Sequence, residues 1–249
     1  MKTSLILAVF CLGFSFTSQQ TKQADLGAYR ANIYQAYVKN DVNSWGKTLA
    51  DLEIYVQNNP SNAGLYELGL AQYGLIGFYR ELGKREKAIT LMNKAEDTVD
   101  KMLAVDENWA IANCFKGGLL GLETEFYPAK VVYLGPRALS YYDDGKELGP
   151  NSPEVWVELG NLAFHAPEMF GGDKEKAAQY FKKAISLFDA KPNLKKNNWL
   201  YLHAYAWLGR AYLALGKKSD AEATYNRLRA YEPNFTYLDR VLLPELRNS

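Results

Sequence analysis

LYLHAYAWLGRAYLALGKKSDAEATYNRLRAYEP, residues 200–233, reads as two helices folded back on each other. Tyr205, Leu208, Gly209 and Tyr212 share one face of the first helix, which Gly216 stops. Ala221, Tyr225 and Leu228 mark one face of the second, and Pro233 ends it. The small residues Gly209 and Ala221 suit a close backbone crossing, and the neighbouring aromatics would fill the groove beside it.

Related spacing recurs upstream. Residues 152–192 place Trp156, Leu159, Gly160, Ala177, Phe181 and Ala184 at the matching positions. Residues 62–106 hold the register with Leu75, Tyr79, Gly83, Ala88, Met92 and Ala95, and Ile76 stands where the small residue would be. Around Ala138, Tyr142, Gly145 and Pro150 only the second helix of a copy is recognisable. Residues 28–60 keep little beyond Pro60 and the helical face Trp45, Leu49, Leu52, Val56. This pattern of Trp, Leu-Gly, Tyr, then Ala, Phe, Ala and Pro resembles the tetratricopeptide repeat. The resemblance implies an all-α, right-handed solenoid of about five antiparallel hairpins in one elongated domain, residues 24–249. The repeats fall at about 28–60, 62–106, 107–150, 152–192 and 199–233, with a capping helix at about 236–247 over the last one.

The stops at Pro60, Asp106, Pro150, Pro192 and Pro233 lie 41 to 46 residues apart, longer than the family's period of about 34. In residues 62–106 the hairpin tip is normal, so both helices are lengthened. In the next two copies Tyr127-Pro128 and Ala166-Pro167 end the first helix, because proline pushes its predecessor out of helical geometry. The second helices then begin at about Pro136 and Asp173. Residues 127–135 and 166–172 are therefore expected to be loops on one edge of adjacent repeats, close in space. Of the 18 Tyr and 11 Phe, most sit at helical spacing and fill grooves; Tyr127, Tyr133, Phe164 and Phe170 flank or lie in these loops, where packing accounts for them less easily.

Lys2 followed by the apolar run 5–16 and polar Thr17, Ser18, Gln19 and Gln20 reads as a secretory signal peptide, residues 1–18, cut after Thr17 or Ser18. The run is shorter than the roughly 20 residues of a spanning helix, and no later segment is long and apolar enough, so an exported chain, periplasmic or secreted, with no membrane span is expected. Cys11 lies inside the apolar run behind bulky Phe10, unlike a lipoprotein signal. Without the signal, Cys114 stands alone, so no internal disulfide forms. Removing Lys2 leaves 28 basic against 28 acidic residues, a balance that argues against nucleic acid or anionic lipid as partner.

His165 and His203 lack the spacing of a zinc site, and no nucleophile, base and orienting group assemble from motifs. Glu123 and Glu125 near the first loop read as a solvated helix end. No metal, no cofactor and no enzymatic activity are expected. Residues 167–173, PEMFGGD, combine two glycines for a sharp turn with Asp173 as the cap of the next helix; a bound anion would compete with that carboxylate. The string also resembles a hairpin loop of the exported T-component family of tripartite transporters. The expectation is an exported scaffold or adaptor for a protein or peptide partner. The transporter-linked resemblance leaves open a small-molecule-binding accessory of a periplasmic solute transporter, with Gly117, Gly118 and Gly121 as possible points of close ligand approach. Tyr127, Tyr133, Arg137, His165, Met169 and Phe170 are the candidate partner-binding residues, with aromatic anchors and polar edges.

Overall fold

The computed structural model describes residues 18–249, with side chains from residue 26 onward; the expected signal segment falls almost wholly outside them. The helices are α1 (Ser18–Val38), α2 (Val42–Asn58), α3 (Asn62–Glu81), α4 (Arg85–Val105), α5 (Ala110–Phe126), α6 (Val131–Leu148), α7 (Pro153–His165), α8 (Lys174–Ala190), the one-turn α9 (Pro192–Lys195), α10 (Trp199–Ala214), α11 (Lys218–Tyr231) and α12 (Leu243–Asn248), the last preceded by a π turn over Leu238–Leu242. They pack as five successive hairpins, α1 with α2, α3 with α4, α5 with α6, α7 with α8 and α10 with α11. The final helix lies against α11.

Local chemistry sets the ends of these helices. Asp41, Ser61, Asp173 and Asn198 cap α2, α3, α8 and α10, each side-chain oxygen accepting from backbone amides of the first turn. At the hairpin tips Gly83 and Gly216 take left-handed backbone, φ +66° and +69°, and the next amide donates back to Tyr79 and Tyr212 respectively, at 2.8 Å in both. In the first hairpin Asn40, φ +53°, fills the same position, with Asp41 N–H donating to the Ala36 carbonyl at 2.8 Å.

The third and fourth hairpins replace this tip with short 3₁₀ turns, Pro128–Lys130 and Glu168–Phe170. The second turn leads into Asp173 as the sequence indicates. The first differs from expectation: α6 begins at Val131, and Pro136 sits inside it. Pro128 starts a turn that α6 continues directly, so the loop is only residues 127–130. Pro136 removes one helical donor on an exposed turn, beside Val132 and Tyr133. The third hairpin also has a full first helix, α5. Its glycines dilute the apolar pattern, and two of them serve packing: a β-carbon at Gly117 would lie 2.9 Å from the Ala138 carbonyl and the Tyr142 ring, and one at Gly118 would strike Tyr73, whereas Gly121 has nothing within 4 Å.

Gly160 and Gly209 mark close hairpin crossings. A β-carbon there would meet the Phe181 ring at 2.6 Å and the Tyr225 ring at 2.1 Å. The aromatic of the second helix thus fills the space left by the glycine of the first, in both repeats.

The solenoid is not elongated and its inner face is not open. Tyr37 stacks on Phe235 with centroids 5.3 Å apart and touches Trp199 at 5.4 Å. Trp199 also packs on Trp45 at 5.4 Å, and Gly74 lies under both indoles. Tyr34 donates to Glu232 at 2.8 Å and Tyr237 to Glu81 at 3.0 Å. The first two hairpins therefore close onto the last. This explains why α3 and α10 are buried on nearly every side, as helices that are apolar all round must be.

A polar chain runs through this interior. Glu158 of α7, fully buried, accepts from the Asn161 amide at 3.3 Å on one oxygen, and its other oxygen has no hydrogen-bond partner, with the Tyr73 hydroxyl near enough to favour its charged form. The Asn161 oxygen pairs with His203 at 2.9 Å. Among the described residues no cation pairs with Glu158, and burial raises its pKa to about 7.

Candidate partner-binding edge and adjacent cleft

The second 3₁₀ turn packs against α6. The Phe170 ring lies on Gly135, where a β-carbon would be 2.6 Å away, and Gly171 faces Leu139. Gly172 admits no side chain, since a β-carbon would sit 1.9 Å from the Ala166 carbonyl. The loop is pinned further by Asp173 N–H donating to the Ala163 carbonyl at 2.7 Å. Its conformation is thus fixed from both sides.

Five of the six sequence-indicated residues lie on this edge. Val132 and Met169 are each 79% exposed, Tyr133 53% and Tyr127 40%, and Arg137 is exposed one helical turn from Tyr133. Phe170 is half-buried and anchors the loop. Cations frame the apolar surface: the Arg85 guanidinium lies over the Phe126 and Tyr127 rings at 5.2 and 5.6 Å, and the Lys130 ammonium is 4.9 Å from the Tyr127 ring. Val132 was not singled out from sequence; next to Tyr133 in a presumed loop, it carried no signal of its own.

His165 belongs to a different feature. Its ring packs on Phe164 at 5.0 Å and Trp207 at 4.5 Å, although one edge stays exposed. With Arg210, Leu213 and Glu245 these residues line an open cleft of about 610 Å³. Burial of the ring, with Arg80, Lys174 and Arg210 nearby, lowers the His165 pKa to about 4. His203, deeper on α10, is lowered to about 3 by burial, His165 and Arg210. Both imidazoles are neutral at pH 7. Trp207 and Arg210 could have been found in the sequence: with His203 they line a face of α10 separate from the repeat face Tyr205, Leu208, Gly209, Tyr212.

The described residues contain no cluster of three or more His, Cys, Asp or Glu side chains able to hold a metal ion. Cys114 is buried and burial pushes its thiol pKa up, which leaves it unreactive. No described helix is long and apolar enough to cross a membrane.

Two tetratricopeptide-repeat family models match the chain, at residues 203–234 and 169–190. No curated protein matches it in sequence. Among solved structures it is similar to a thermophilic tetratricopeptide-repeat protein of Thermus thermophilus, with 17% identity, 91% of this chain and 99% of that one covered, and a TM-score of 0.60. It is also similar to HusA, a haemophore of Porphyromonas gingivalis, with 15% identity, 80% and 96% covered, and a TM-score of 0.63. At such identities the likeness is one of fold. With the glycine-on-aromatic crossings at Gly160 and Gly209 beside and inside the matched segments, residues 169–190 and 203–234 match the tetratricopeptide repeat and the chain has a tetratricopeptide-like helical-hairpin fold.

Proposed function

We propose that the protein is an exported scaffold that holds a protein or peptide partner on the edge formed by residues 127–137 and 167–171. The observation that carries this reading is the group of exposed apolar side chains, Tyr127, Val132, Tyr133 and Met169, on a backbone that packing holds rigid. Exposed apolar patches on rigid supports are how proteins present binding surfaces, and aromatic anchors beside cations are the residue types that dominate binding energy. The closed inner face directs attention to this edge, because the groove that open solenoids offer is filled here by the chain's own rings.

Export rests on residues 1–18. Sequencing the N-terminus of protein recovered from the native host is expected to find a start at Ser18 or Gln19; an intact Met1 would remove export from the reading.

A photo-crosslinking residue placed at Met169 is expected to capture one defined partner. With that partner in hand, the double variant Tyr133→Ala, Val132→Ala is expected to weaken its binding by about tenfold or more. Both side chains are solvent-exposed, so the fold should survive. Unchanged affinity in the folded double variant would overturn the assignment of the edge.

A further inference from the structure

The ion pairs around the edge leave positive charge over. Lys130 is paired with Glu123 and Arg80 with Glu125, so both acids at the end of α5 are already neutralised. Arg85 and Arg137 have no carboxylate partner among the described residues. Arg85 donates to the Phe126 carbonyl, and its guanidinium lies over the Phe126 and Tyr127 rings. Arg137 stands exposed on α6, on the face that carries Tyr133. Within residues 127–137 and 167–171 the charged side chains are Lys130, Arg137 and Glu168. With Lys130 cancelled by Glu123, the two arginines stand against the single acid Glu168, around exposed Tyr127, Val132, Tyr133 and Met169.

This charge decides between occupants. A second copy of the chain would pair the edge with itself about a two-fold axis, which brings like charges together and opposes association. A basic partner meets the same repulsion, and the Tyr127 ring already carries Arg85 and Lys130. A carboxylate is favoured at both arginines. One nitrogen of Arg85 serves the Phe126 carbonyl, which leaves other N–H groups of the fork to donate, and the rings hold that fork in place before any partner arrives.

We infer, taking this edge as the binding surface proposed above, that the partner reaches it through an acidic and apolar peptide segment. An aliphatic or aromatic anchor would lie on Tyr127, Val132, Tyr133 and Met169, with Asp or Glu side chains beside it on Arg85 and Arg137. Tyr133 and Arg137 are one helical turn apart, roughly 6 Å of rise, which an extended chain covers in about two residues. The anchor and its acid are therefore close neighbours in the partner's sequence.

Selection of a random dodecapeptide display library on the full-length protein, followed by titration of the enriched peptides, tests this. The enriched sequences are expected to share Leu, Met or Phe with Asp or Glu about two residues away, and to bind more weakly as salt is raised. Arg137→Glu is expected to weaken them about tenfold or more, and Arg137→Lys to keep most of the affinity. Arg137 is exposed and makes no ion pair, so both variants should fold. Arg85→Gln, which can still donate to the Phe126 carbonyl, is expected to weaken binding about threefold or more. The double variant Tyr133→Ala, Val132→Ala separates this inference from the one beneath it. Peptides that need Tyr133 and Val132 but lack acids, or that bind Arg137→Glu as well as the parent protein, would overturn the acidic class and leave the edge standing. Peptides indifferent to the double variant and to Arg137→Glu would remove the edge itself. With no peptide enriched the inference falls, and binding of phosphatidylglycerol vesicles by the parent but not by Arg137→Glu would then assign the edge to an anionic membrane.

Discussion

Glu158 carries a prediction that belongs to a single side chain. Its pKa is raised by burial from 4.5 to about 7, so the folded protein keeps a proton that the unfolded chain releases. The resulting stabilisation is fully present below about pH 4.5 and is lost as pH rises through 7. Its full extent is on the order of 3 kcal/mol, taking about 1.4 kcal/mol per pKa unit. Glu158→Gln keeps the shape and cannot ionise. Urea unfolding at pH 5 and pH 8 is expected to show a smaller loss of stability at the higher pH in the variant than in the parent protein; an equal loss would show that other groups are responsible. Glycines give a second test. Gly209→Ala drives a methyl into the Tyr225 ring and is expected to cost about 1–3 kcal/mol, whereas Gly77→Ala, with nothing within 4 Å, is expected to stabilise α3 by about 0.5–1 kcal/mol. Paired melting curves separate the two, and a like-signed shift would refute the packing argument. Gly209 could be read in advance because its partner Tyr225 lies in the same hairpin. Glu158 could not, since Tyr73 and His203, which complete its chain of contacts, come from other repeats.

The hairpin tips decide where each helix stops, and they do so by two devices. Gly83, Gly216 and Asn40 turn the chain through left-handed backbone, while Tyr127-Pro128 and Ala166-Pro167 end their helices by excluding helical geometry. Gly216→Ala is expected to cost about 1–2 kcal/mol, and Asn40→Gly to be neutral or slightly stabilising, as thermal unfolding would report. If Asn40→Gly destabilised as strongly as Gly216→Ala, the shared turn geometry would be the wrong explanation. Gly83, Gly216 and the Asp173 cap were visible in the sequence because each acts within a few residues. Asn40 passed unnoticed: asparagine in left-handed backbone looks like any polar residue until the 2.8 Å return bond from Asp41 is seen. The start of α6 was misplaced for a related reason. Pro136 is a common first residue of a helix, and only the turn begun by Pro128 shows that the helix was already under way.

For the molecule as a whole, closure is the property that repeat spacing could not disclose. Tyr34 and Glu232 are 198 residues apart, and Tyr237 and Glu81 are 156 apart; pairs so distant leave no periodic trace. The aromatic group Tyr37, Trp45, Trp199 and Phe235 joins the two ends of the array, so the terminal hairpins should share one unfolding unit where an open solenoid would fray from its ends. Trp199→Ala is expected to remove about 3–5 kcal/mol and to speed amide exchange in α1 and α2 as well as in α10. Faster exchange confined to α10 and α11 would mean that the ends are in contact without being coupled.

That contact also fixes a count. An open array can gain or lose a hairpin by duplication or deletion, since each unit needs only its neighbours. Here a sixth hairpin would carry Phe235 away from Tyr37 and leave Trp45 and Trp199 facing water, while a four-hairpin version would leave the rings no room to meet. The circumference is quantised, and the lineage of this chain can vary its turns and surface far more readily than its number of repeats.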